Sequence, residues 1–114
     1  VLGFIPEKDL VALHASALFL AYPSLYEGFG LPLVKSMKVG VPVLTSATSS
    51  LPEITGRGGL LVDPNSTEAI AEGLEKLINS PALRSRLSRK ALLQSSLFFW
   101  SKTAKETLNV YQKI

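Results

Sequence analysis

The chain has 114 residues, 46% of them apolar and 18% charged, with a net charge of +3 and no cysteine. That length allows one small domain, and the composition excludes a disordered chain, a disulfide scaffold and any thiolate metal site. No apolar run approaches the roughly 20 residues a membrane helix needs, and Val1-Leu2-Gly3 lacks the basic and cleavage features of a signal peptide. The chain reads as cut from something longer.

Taken in order, residues 1–5 predict a short buried strand ended by Pro6. Glu7 or Asp9 seats a helix running to about Ala17, with Leu10, Leu13 and Ala17 on one face. His14 lies on that helix with no second group for its chemistry in view, so it reads as a surface or packing residue. Ala17-Leu18-Phe19-Leu20-Ala21 is continuously apolar, the pattern of a strand buried on both faces.

The stretch from Tyr22 to Gly40 then predicts a strand end, a tight loop and a helix. Gly28 and Gly30 flank Phe29 and free the backbone there to take positive φ or to approach another group closely. Pro32 suits a first helical turn, and Gly40 followed by Pro42 marks the stop. Free amides at a helix N-terminus, backed by the positive end of the dipole, make an anion site, and Glu27 stands at its rim. On these residues alone a plain tight connection is preferred for the Gly-x-Gly over phosphate binding.

Pro42-Val43-Leu44-Thr45 predicts the next strand and Ser46-Ala47-Thr48-Ser49-Ser50 a polar loop. Ser50 and Glu53 fit a capping box, which is preferred for Glu53 over a ligand-binding role. Gly56-Arg57-Gly58-Gly59 turns the chain into a strand at Leu60-Leu61-Val62, stopped by Asp63-Pro64. Three helices follow. Ser66 caps one carrying Ile70, Leu74, Leu77 and Ile78 on a stripe, and Ser80-Pro81 opens one with Leu83 and Leu87 inward and its arginines outward. The last starts near Trp100-Ser101 and carries Ala104, Leu108 and Tyr111.

Leu97-Phe98-Phe99-Trp100 reads as core or interdomain packing rather than as a platform for bases. Arg84, Arg86, Arg89 and Lys90 carry no interleaved aromatics, so they read as a solvated face and not as a nucleic-acid site. Weak attraction to anionic lipid headgroups, or to an acidic surface of the parent protein, is the alternative for them.

Alternating strands and helices imply an α/β fold, a parallel Rossmann-like sheet of about four strands with flanking helices. Ligands of such sheets bind beyond the carboxyl ends of the strands, here the loops at 22–31, 45–50 and 63–66.

Pro23-Ser24-Leu25-Tyr26-Glu27-Gly28-Phe29-Gly30-Leu31-Pro32, followed by Met37 and by Val39-Gly40-Val41-Pro42-Val43, resembles the C-terminal domain of the GT-B retaining glycosyltransferases of family four. These are the group-one transferases that use nucleotide-activated sugars, and the similarity runs from Leu2 to Tyr111. The resemblance implies that residues 1–114 are a partial nucleotide-sugar-binding C-terminal domain. The first strands of that domain and the whole N-terminal acceptor domain are then absent, and no turnover is expected from this chain alone. Glu27 becomes the candidate catalytic residue, accepting hydrogen bonds from donor-sugar hydroxyls, while the backbone amides of Gly28, Phe29, Gly30 and Leu31 carry the diphosphate. The expected partners are a nucleotide sugar, the missing acceptor domain and, through the incomplete sheet, a second copy of the chain. No cofactor and no metal is expected. The expected location is the cytoplasm, with attachment to a membrane surface through the parent protein as the alternative.

One residue departs from the family's pattern, a Glu followed after seven residues by a second Glu that accepts from the ribose hydroxyls. Counted from Glu27, that second position is Lys35, and an ammonium only donates. Charged hydrogen bonds contribute roughly 1.5–3 kcal/mol, so the loss would weaken ribose binding about tenfold to a hundredfold. Lys35 is expected to be solvated, with a phosphate or Glu27 as alternative partners; Lys38 on the same side adds a second cation. A non-catalytic remnant or protein-interaction module is therefore the competing reading. A receiver or flavodoxin-like domain fits less well, because the strand ends offer Pro23, Thr45 and Asp63 rather than an acidic cluster.

Overall fold

A computed structural model describes residues 1–114. Its elements in chain order are α1 (Glu7–Ser16), β1 (Leu20–Tyr22), α2 (Leu31–Lys38), β2 (Val43–Ser46), α3 (Leu51–Thr55), β3 (Gly59–Val62), α4 (Thr67–Asn79), α5 (Pro81–Ser95) and α6 (Trp100–Gln112). The strands form one parallel sheet in the order β1-β2-β3, with Leu20 opposite Val43 and Val43 opposite Gly59. Helices make both crossovers, as parallel pairing requires.

The central strand organises the core. β2 is buried at every position, and its side chains alternate between the two faces of the sheet. Val43 joins Leu33, Val34 and Met37 of α2, Leu51 and Ile54 of α3, and Ala91 of α5. Leu44 joins Val62, Leu77 of α4 and Leu87 of α5 on the other side. Each fully buried leucine contributes about 1.5–3 kcal/mol, so β2 and α2 hold the site loops on a firm base. Gly40, at φ 75°, follows α2 and lets the chain turn directly into β2. Ser66 and Ser80 cap α4 and α5 through Ala69 N–H and Leu83 N–H.

The sheet has three strands, not about four. Residues 1–5 form no strand: they lie mostly exposed and pair with nothing, so the outer edge of β1 stays open. For the same reason β1 is shorter than its apolar run, with Leu18 exposed and Ala21 open to solvent. α1 buries no residue, so the predicted face of Leu10, Leu13 and Ala17 does not enter the core. Ile78 lies on the exposed side of α4 while Leu77 is fully buried. Arg84 is not a solvated arginine: its guanidinium donates to the carbonyls of Leu77 and Ile78 at 2.6 and 2.8 Å, satisfying the end of α4. α6 likewise buries nothing, and Ala104, Leu108 and Tyr111 are exposed. No helix is long and apolar enough to cross a membrane.

Candidate functional site

The loop from Pro23 to Gly30 leaves β1 at its carboxyl end and feeds α2. Gly30 sits at φ 92°, ψ 55°, a left-handed conformation, and a Cβ there would stand 3.0 Å from Leu51 Cδ2. Its carbonyl accepts from Leu33 N–H at 3.0 Å, which opens the helix. Of the two glycines only Gly30 needs positive φ; Gly28 does not, and the space where its Cβ would lie is open. No protein group accepts from the backbone N–H of Gly28, Phe29, Gly30 or Leu31. Pro32 follows in the first turn and has no N–H to offer.

Glu27 is half-buried beside these donors. Tyr22 Oη donates to Glu27 Oε1 at 2.6 Å and Ser24 Oγ donates to the same oxygen at 3.0 Å. The hydrogen bond to Glu27, followed by burial, holds the Tyr22 phenol above its ordinary pKa.

The end of β2 and the loop after it fasten this arrangement. Thr45 Oγ1 donates to Tyr22 O at 2.8 Å, Ser46 Oγ donates to Ser24 O, and Ser50 Oγ donates to Glu27 O at 2.9 Å. Ser49 Oγ accepts from Glu27 N–H at 3.2 Å, and Thr48 reaches Leu25 O at 3.4 Å. Ser49 does this at φ 52°, an unusual conformation for a residue with a side chain, costing of order 1–3 kcal/mol. Ser50 is accordingly not the capping-box residue: it is already helical and makes no side-chain cap, because its hydroxyl is spent on Glu27. In the sequence Thr45 reads as a strand residue, 46–50 as a polar loop and Ser50 as a cap; the density of hydroxyls between 45 and 50 is the signal that something nearby needed tying down.

Lys35 is exposed to solvent but not free in it, and its partner is not Glu27. Its Nζ lies 2.7 Å from Glu7 Oε1, a contact from α2 to α1. Both side chains are largely exposed, so the pair contributes little to stability. His14 Nδ1 and Ser36 Oγ, 2.6 Å apart, form a second polar link between the same helices.

Phe29 does more than supply an amide. Its ring meets Phe98 edge-on, with centroids 5.6 Å apart at 87°, and this fastens the loop to the chain before α6. Phe98 is half-buried against the core, whereas Leu97, Phe99 and Trp100 are exposed, so only one member of the aromatic stretch packs inward. Phe29, Val34, Lys35, Lys38 and Trp100 line a cleft of about 270 Å³ next to the loop. A wider depression of about 870 Å³, between α4 and α5, is lined by charged side chains such as Glu72 and Arg86 and shares no residue with it.

A parallel sheet with helical crossovers, and with unpaired main-chain amides and a held carboxylate beyond its strand ends, has the layout of a Rossmann-like α/β domain. The family described as glycosyl transferases group 1 matches residues 1–94, and the chain belongs to that family. It is 40% identical to the O-antigen chain mannosyltransferase B of Escherichia coli over 111 residues, 97% of this chain and 29% of that protein. It is 36% identical to a D-inositol 3-phosphate glycosyltransferase of a Nocardioides species, covering 99% of this chain and 26% of that protein. Among solved structures, the sucrose-phosphate synthase of Thermosynechococcus elongatus superposes with a TM-score of 0.88 at 29% identity, covering 98% of this chain and 29% of that one. The chain thus spans under a third of the length of these relatives and fits part of the C-terminal domain of the GT-B fold.

Proposed function

We propose that this chain is the donor-binding part of a glycosyltransferase that moves a sugar from a nucleoside-diphosphate sugar to an acceptor with retention of configuration. The observation that supports it most is the run of uncommitted amides from Gly28 to Leu31, set beside Glu27 at the start of α2. A leaving nucleoside diphosphate gains negative charge as the glycosidic bond breaks. Fixed N–H dipoles aimed at that charge stabilise the transition state without reorganising. In this reading Glu27 accepts from hydroxyls of the departing sugar, and main-chain dipoles rather than a metal ion meet the diphosphate. Retention rests on the family resemblance. The reading places the protein where nucleotide sugars are made, in the cytoplasm, and leaves acceptor binding and turnover to sequence beyond these residues.

The Glu7–Lys35 pair favours a second reading, a relative that no longer turns over, since Lys35 is committed to a carboxylate and accepts nothing. Yet Glu7 Oε2 has no protein partner, so an acceptor still stands in the neighbourhood where a ribose would lie. Titration with UDP, GDP and ADP and their sugars, followed by amide chemical shifts, separates the readings. Shifts concentrated at Gly28, Phe29, Gly30 and Leu31 are expected with at least one donor. Silence at these amides with every donor overturns the donor-binding reading.

A further inference from the structure

Glu27 is held by one oxygen. Tyr22 Oη and Ser24 Oγ both donate to Oε1, at 2.6 and 3.0 Å, and no protein group reaches Oε2. The donors are themselves fixed. Tyr22 is the last residue of β1, its side chain packs against the core cluster of α2 and α3, and its carbonyl accepts from the buried Thr45 hydroxyl at 2.8 Å. Ser24 N–H returns to Tyr22 O at 3.0 Å, and Ser24 O accepts from the buried Ser46 hydroxyl. Hydrogen bonds from the central strand therefore fix the backbone of both residues whose side chains hold the carboxylate. A glutamate side chain free to rotate would lose that freedom on meeting a ligand; here the loss has been taken in folding.

We propose that Tyr22 is a positioning residue which, with Ser24, clamps Glu27 Oε1 and so presents Oε2 to the hydroxyls of a donor sugar. The proposal rests on the reading of Glu27 as the sugar contact. Tyr22 acts through Glu27 alone, and so serves the sugar and not the nucleotide. That split distinguishes it from a residue that merely supports the fold.

The test is calorimetric binding to the full chain of GDP-mannose and UDP-glucose, each against its bare nucleoside diphosphate. Tyr22→Phe, which keeps the packed ring, is expected to weaken the nucleotide sugar about threefold to tenfold, the loss of one ordinary hydrogen bond. The bare diphosphate is expected to bind unchanged, and Tyr22→Phe is expected to add nothing once Glu27→Ala is present. Ser24→Ala, which leaves the core untouched, should act in the same direction and more weakly. Equal weakening of both ligands, or a loss that adds to that of Glu27→Ala, overturns the proposal. If Glu27→Ala weakens the sugar nucleotide while Tyr22→Phe and Ser24→Ala do not, the proposal falls and the role of Glu27 stands. If Glu27→Ala binds as the parent does, or no UDP-, GDP- or ADP-sugar binds the parent, the donor-sugar reading fails and takes the proposal with it.

Discussion

The Ser50 hydroxyl donates to the main-chain carbonyl of Glu27 at 2.9 Å, joining two loops that lie 23 residues apart in the chain. It is the last of a series that starts inside β2 with Thr45 and Ser46, both fully buried, and continues outward along the loop. Polar side chains on a buried strand end are costly unless their hydrogen bonds are met. Here the partner is the backbone of the site loop, so the same bonds that satisfy β2 also set the loop's shape.

Two substitutions separate the inner and outer members of that series. Ser46→Ala removes a buried donor and strands the Ser24 carbonyl, at a cost of about 1–3 kcal/mol. Ser50→Ala acts at a half-buried site where water can replace the hydroxyl, and should cost about 0.5–1.5 kcal/mol. At about 4–8 °C per kcal/mol for a domain near this size, thermal unfolding resolves the two. An unchanged Tm for Ser46→Ala would mean that the loop is shaped from elsewhere.

The two glycines of the loop are expected to respond oppositely. Gly30→Ala forces a side chain into a left-handed conformation 3.0 Å from Leu51, costing about 1–2 kcal/mol before the contact is counted. Gly28→Ala meets nothing within 4 Å and needs no positive φ, so stability should stay within about 0.5 kcal/mol. Its added methyl instead occupies open space beside the free amides. Nucleotide binding by Gly28→Ala is therefore expected to weaken while unfolding does not change; a fall in Tm with intact binding would reverse the assignment.

How much of this was legible depended on whether the cause was local. Gly30, Pro32 and Gly40 bracket α2 through their own backbone preferences, so that helix and its loop could be read directly. Ser66 and Ser80 announced their helices in the same way. Residues 1–5 could not be judged so, since an apolar run becomes a strand only where a neighbour accepts its hydrogen bonds. Ser50 looked like a cap because the motif is local, whereas its actual partner, Glu27, is not. Lys35 was legible as a departure from the family's pattern, but its partner Glu7 lies 28 residues away on another helix. Within the site, the loop pattern and the family resemblance singled out Glu27 and the amides beside it, and tertiary contacts alone revealed what holds Glu27.

The Tyr22 phenol supplies a pH signature for its bond to Glu27. Because its folded pKa lies above the ordinary value of about 10, the bond's contribution is fully present below that pH. It is lost as pH rises through the higher folded value, where phenolate and carboxylate would face each other. Titration of tyrosine absorbance should therefore show one of the three tyrosines ionising late. Glu27→Gln removes the anion and should bring that step back toward the ordinary value. A profile unchanged by Glu27→Gln would show that the late step belongs to some other contact.

Lys35→Glu tests whether charge at this position tunes the site. It breaks the pair with Glu7 and sets two carboxylates where an ion pair stood, but both groups are largely exposed. Exposed pairs contribute about 0–1 kcal/mol, so unfolding should shift only slightly. Binding should move further, because a carboxylate on α2 accepts from ribose hydroxyls as an ammonium does not. Nucleotide sugars are expected to bind about tenfold tighter, with the gain unaffected by a chelator, since main-chain dipoles and not a metal hold the diphosphate in this reading. Glu7→Ala provides the control: it frees Lys35 without adding an acceptor, and should not reproduce the gain. If Glu7→Ala strengthens binding as much as Lys35→Glu does, the ion pair itself obstructs the cleft and the missing acceptor is not the cause.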